Sequence, residues 1–94
     1  MLLFCDVLRV EKKGLVYHEA KLHINGDFLV GRYETDAIAA TAYNKAADCA
    51  MSYGIKKAFP KNYIPEYSSE EYKSLYRSVQ ISKKLEEHIR RLSS

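Results

Sequence analysis

The chain has 94 residues, of which 47% are hydrophobic and 29% charged, with a formal net charge of +3. That length corresponds to one domain with a modest core and little room for an enclosed active site, and the balance excludes an intrinsically disordered chain. The charge permits a nucleic-acid partner without requiring one, so the placement of the cations decides more than their sum.

The run Met1 to Cys5 is apolar, but no basic segment leads it and Asp6 interrupts it. It therefore reads as neither a secretion signal nor a membrane span. A cytoplasmic protein is expected, nucleoid-associated if bacterial. Cys5 and Cys49 fit no metal-ligand spacing and read as two reduced thiols.

From Val7 to Tyr33 apolar and polar residues alternate with the period of half-buried strands. Turn signals at Lys12-Lys13-Gly14 and Asn25-Gly26 divide the segment into three. Three-residue loops at both turns keep one face apolar, pairing Val10 with Val16, Arg9 with Tyr17, Leu22 with Phe28 and Ala20 with Val30. The expected inner face is Leu8, Val10, Val16, His18, Ala20, Leu22, Phe28 and Val30. The expected outer face is Val7, Arg9, Glu11, Leu15, Tyr17, Glu19, Lys21, His23, Asp27 and Leu29.

Thr35 is a good N-cap, and Asp36 suits the first turn of the helix it opens. The run from Ala37 to Tyr53 has high helix propensity, with Gly54 placed to close it. Ala39, Ala42, Tyr43, Ala46, Ala47 and Ala50 recur at helical spacing, a stripe of small residues around one large one. A connector bracketed by Pro60 and Pro65 follows. Ser68 and Glu71 form a capping-box pattern, which predicts a second helix from about Ser69 towards Leu92. Its apolar stripe of Tyr72, Leu75, Tyr76, Val79, Leu85, Ile89 and Leu92 slips at Gln80-Ile81-Ser82, so a bend or a break falls there. That stripe either packs on the core or pairs with a second copy, making a homodimer. The expected fold is α+β: a three-stranded antiparallel sheet packed on one alanine-rich helix, plus a C-terminal helix. Residues 1–60 form the sheet-plus-helix unit, and residues 61–94 the connector and helical extension.

His18, His23 and His88 converge with no acid or cysteine in a catalytic spacing, and no glycine-rich phosphate loop is present. No catalytic group, cofactor or metal is expected, and the chain does not read as an enzyme. The outer sheet face is where binding is expected. Arg9, Lys21 and His23 lie beside Leu15 and Tyr17, Lys12 and Lys13 crowd the first turn, and Arg32 follows the third strand. Such a face suits the major groove, where cations meet phosphates and guanine acceptors. Glu11, Glu19 and Asp27 oppose that attraction. Leu15 and Leu29, exposed together, fit a protein contact instead.

The run Val30-Gly31-Arg32-Tyr33, the Thr35 cap and the helix Ala39-Ala40-Thr41-Ala42-Tyr43-Asn44-Lys45-Ala46-Ala47, with Gly54 and Ala58-Phe59-Pro60 beyond, resembles the APETALA2/ethylene-response-factor (AP2/ERF) DNA-binding domain. The resemblance covers about residues 7 to 60, and the helix motif is its most specific part. It implies double-stranded DNA as partner, bound by the sheet in the major groove. By position, the first-strand arginine matches Arg9, the second-strand polar contacts match Glu19, Lys21 and His23, and the third-strand tryptophan matches Leu29. The basic residue before that tryptophan matches Asp27. The chain has no tryptophan. The compact size and the Asn25-Gly26 hairpin are closer to the microbial and phage forms, which occur attached to HNH homing endonucleases and to integrases. From residues and resemblance together, the expected DNA contacts are Arg9, Lys12, Lys13, Tyr17, Glu19, Lys21, His23, Leu29 and Arg32. The expected role is transcription regulation or service to a mobile element; the alternative is a protein-interaction or dimerisation domain.

Overall fold

Three strands, β1 (Val7–Lys12), β2 (Leu15–His23) and β3 (Asp27–Tyr33), form one antiparallel sheet in the order β1-β2-β3. The computed structural model describes residues 4, 6–24, 26–55, 59 and 61–93, for Ser93 the backbone alone. The readings placed on Met1 to Leu3, Cys5, Asn25, Ala58 and Pro60 fall outside the described residues.

The first hairpin differs from the expected one. Lys12 pairs with Leu15, so the loop has two residues, Lys13 and Gly14, and both have positive φ, 52° and 81°. Two consecutive left-handed residues make the tight hairpin turn whose twist matches the strands it joins. Gly14 enters that region freely, whereas Lys13 does so at a cost of about 1–2 kcal/mol. Shortening the loop by one residue turns β1 over. Val7 now lies opposite Ala20 and is buried with it, while Leu8 is 51% exposed. Val10 pairs with Tyr17, and Arg9 pairs with His18. Leu8 and Val10 are therefore outer-face residues, and Val7, Arg9 and Glu11 belong to the other side.

The second hairpin has the expected register, with Leu22 opposite Phe28 and His23 opposite Asp27. Beyond it a bulge interrupts the ladder, and Ala20 faces Gly31 instead of Val30. The extra residue bends β3 and keeps both Val30 and Gly31 on the helix side. Gly31 has no room for a side chain, since a Cβ there would overlap the phenol of Tyr33, 2.7 Å from its Cζ.

Helix α1 (Asp36–Ser52) starts as expected, with the Thr35 hydroxyl accepting from the Ile38 N–H at 3.1 Å. At its end the Gly54 N–H donates to the Met51 carbonyl and the Ile55 N–H to the Ala50 carbonyl, the paired bonds of a Schellman motif. Its alanine stripe faces the sheet, and Tyr43 is the largest fully buried side chain. Asn44, also buried, donates from Nδ2 to the Asn62 carbonyl (2.9 Å) and the Tyr72 hydroxyl (3.1 Å) and accepts from the Asn62 N–H (2.8 Å). One amide thereby fixes the connector to α1.

The C-terminal segment is broken, not bent. Helix α2 (Ser69–Ser78) has the expected capping box, with the Glu71 carboxylate held below the usual carboxylate range by the Ser68 backbone N–H and hydroxyl. Four residues separate it from α3 (Lys83–Ser93). The body of the protein holds that gap in place. Lys45 Nζ donates to the Val79 carbonyl at 2.9 Å, the Tyr33 hydroxyl to the Gln80 carbonyl at 2.5 Å, and the Ser82 N–H to the Val30 carbonyl at 2.9 Å. Leu85 and Ile89 of α3 lie in the same core cluster as Phe4, Leu22 and Tyr43, and His88 stacks on Phe28 with ring centroids 4.0 Å apart. Ile64, Val79, Leu85 and Ile89 thus complete the core begun by the sheet and α1. Of the stripe offered as a homodimer face, Val79, Leu85 and Ile89 are buried inside the chain, Tyr72, Leu75 and Tyr76 are half-buried, and Leu92 is 40% exposed.

Two measurements test these contacts. Gly31→Ala should lose about 1–3 kcal/mol of stability in urea unfolding, because the new methyl displaces Tyr33 from Gln80. Burial pushes the Tyr33 phenol up to about 12 from 10.0. The unfolded phenol ionises first, so the stability this group contributes is complete below about pH 10 and is lost as the pH rises towards 12. Thermal melts across that range should fall more steeply for the native chain than for Tyr33→Phe.

Candidate nucleic-acid interface

All three helices pack away from one side of the sheet, which no described residue covers. Its rows can be followed along β2. Lys12 lies beside Leu15, then Val10 beside Tyr17, then Leu8, Glu19 and Arg32 across all three strands. Lys21 beside Leu29 and His23 beside Asp27 complete the face. Leu15 is 70% exposed and Leu29 37%, so the aliphatic groups between the cations are open among the described residues. From the Leu15 row to the Lys21 row the face runs about 20 Å, at roughly 3.3 Å per residue.

Arg32 is oriented at the centre. Its Nε donates to Glu19 Oε2 at 2.9 Å, directly across the strand pair, and its guanidinium carbon sits 5.5 Å from the centroid of the Tyr17 ring. The Glu19 hydrogen bond, followed by Tyr17, raises the guanidinium pKa. The Arg32 side chain is still 60% exposed. A guanidinium placed over a ring and pinned at one nitrogen has lost much of its rotamer freedom before any ligand arrives.

Elsewhere the charges differ from the expectation. His23 is clasped between two carboxylates, with Nε2 3.1 Å from Asp6 Oδ1 and Nδ1 against Asp27. That end of the face is the acidic one. Arg9 lies on the opposite side of the sheet from Tyr17 and reaches Glu11 at 3.9 Å. The two-residue turn that flips β1 removes it from the expected contact set. Lys13 sits in the turn at the edge of the face. Lys12, Tyr17, Glu19, Lys21, Leu29 and Arg32 come together as expected. Leu8 and Val10 join them, and only the turn length marks their presence.

No group of three His, Cys, Asp or Glu side chains among the described residues is placed to hold a metal ion, and no helix among them is long and apolar enough to cross a membrane. No family model, curated protein or solved structure matches the chain.

Proposed function

We propose that the protein binds double-stranded DNA through the bare sheet face, as an AP2/ERF-like module serving transcription regulation or a mobile element. The observation that carries this reading is the uncovered face itself, with Lys12, Lys21 and Arg32 set around Tyr17 and exposed aliphatic side chains. Phosphate neutralisation by Lys12, Lys13, Lys21 and Arg32 supplies most of the affinity. Arg32, fixed by Glu19 and Tyr17, is the residue suited to a guanine edge, and Leu29 and Leu8 suit sugars and thymine methyls. Arg9 has no part in the mechanism, and His23 is spent on its carboxylate partners. No cofactor enters, and no bond is made or broken.

A second reading has an observation of its own. The observed register adds Leu8 and Val10 to Leu15 and Leu29, which makes the face more apolar than the expected one and suits a protein partner. Salt separates the two readings, since phosphate contact is linear in log salt and an apolar contact is nearly insensitive to it.

Fluorescence anisotropy of a labelled random-sequence duplex, titrated across a salt series, should give a slope for roughly three to four released counterions. Lys21→Ala should lower that slope by about one without changing the melting temperature. Arg32→Ala removes the guanidinium that Glu19 and Tyr17 hold and should weaken duplex binding at least several-fold. Absence of binding at low salt, or an Arg32→Ala variant that binds unchanged, would overturn the proposal.

A further inference from the structure

A second surface lies on the far side of α1 from the bare sheet. Helix α2 packs on α1 and touches no strand. Between α2 and the connector two adjoining cavities, of about 470 and 340 Å³, share Lys61 and Tyr72. Among the described residues, the walls of the first are Tyr72, Tyr76, Lys61, Lys73, Arg77 and Asp48, with no aliphatic residue. The second adds Tyr67 and Tyr63, and Tyr63 is 83% exposed.

The rings are held before any ligand arrives. The Tyr76 hydroxyl donates to Asp48 Oδ2 at 2.6 Å, and the Tyr72 hydroxyl accepts from Asn44 Nδ2 at 3.1 Å. Both phenols are thereby anchored to α1 by their tips; Tyr72 lines both cavities, and Lys45 Nζ lies 5.8 Å from the centroid of the Tyr76 ring. Their centroids are 5.8 Å apart. Asp48, the acid of the first cavity, is already neutralised by Lys61. Lys73 and Arg77, one turn apart on α2, have no ion-pair partner among the described residues. The groove therefore offers fixed aromatic faces and net positive charge.

We propose that this groove binds single-stranded nucleic acid, with bases stacking on Tyr63 and Tyr72 and the backbone following Lys73 and Arg77. Aromatic platforms beside a cationic track are what an unpaired strand needs, because every base has a π-face and every linkage a charge. An acidic peptide would also satisfy the cations, but a peptide groove needs aliphatic sockets for side chains, and among the described residues Ile64 is the one aliphatic residue lining either cavity. Because Tyr72 and Tyr76 are already fixed, binding does not have to order them. The site does not depend on the duplex contact of the sheet, from which α1 separates it.

The test uses the whole chain and a labelled oligo(dT) of about 12 nucleotides, within the site sizes usual for single-strand grooves. Tyr63→Ala should weaken binding at least about 5-fold, and Lys73→Ala/Arg77→Ala at least about 10-fold. Both variants should keep the native melting temperature, since these side chains are exposed, and should leave duplex affinity within about twofold. An abasic strand of equal length should bind at least about 5-fold more weakly than oligo(dT). The proposal is overturned by an abasic strand that binds as well, by variants that bind oligo(dT) unchanged, or by equal losses on single and double strands. Displacement of oligo(dT) by an equal charge concentration of poly-glutamate would overturn it in favour of an acidic peptide.

Discussion

The close approach of α1 to the sheet is the constraint on which the rest of the structure depends. It requires small side chains along one helix stripe, and Ala39, Ala42, Ala46 and Ala50 supply them, each fully buried. A larger residue at any of these positions would push the helix off Ala20 and Leu22, which are themselves fully buried. With the helix this close, Tyr43 fills the remaining core volume, and one helix is too narrow to cover the rest of that side. The uncovered remainder, around Phe28, is where Leu85, His88 and Ile89 of α3 settle. All three helices are drawn to one side, and no described residue covers the opposite face as a result.

The break between α2 and α3 serves the same arrangement. A continuous helix from Ser69 to Ser93 could not both lie on α1 and return to β3. Residues 79–82 make that turn, and their backbone groups find partners in the body of the protein: Lys45 from α1, and Tyr33 and Val30 from β3. Gly31 is part of the same device, because the Tyr33 ring lies over it to reach Gln80. The bulge in β3 belongs here as well, since the Val30 carbonyl receives the Ser82 N–H.

Local chemistry made much of this legible. Thr35, Gly54, Ser68 and Glu71 act where the capping patterns put them, and the second hairpin follows from the need to set Leu22 against Phe28. The first hairpin was illegible for a physical reason. Val7-Leu8-Arg9-Val10 has apolar residues of both parities, so alternation alone does not choose a face, and a left-handed lysine carries no composition signal. Arg9 was misplaced by that one residue, whereas Lys12, Tyr17, Lys21 and Arg32 were not. The slip in the apolar stripe marked Gln80-Ile81-Ser82, but its anchoring by Lys45 and Tyr33 is long-range and invisible to a local pattern. The tyrosine groove was missed likewise, because Asn44 draws together a connector and a helix whose sequences say nothing of each other.

The central claim is that the bare face is the duplex-binding surface. Its most direct test is a map of backbone amide shifts on titration of the labelled protein with a short duplex. If the face binds duplex, the largest changes fall on Lys12, Leu15, Tyr17, Lys21, Leu29 and Arg32, with Arg9 and the residues of α1 and α3 little affected. Shifts concentrated on α1 or α3, or centred on Arg9, would contradict it.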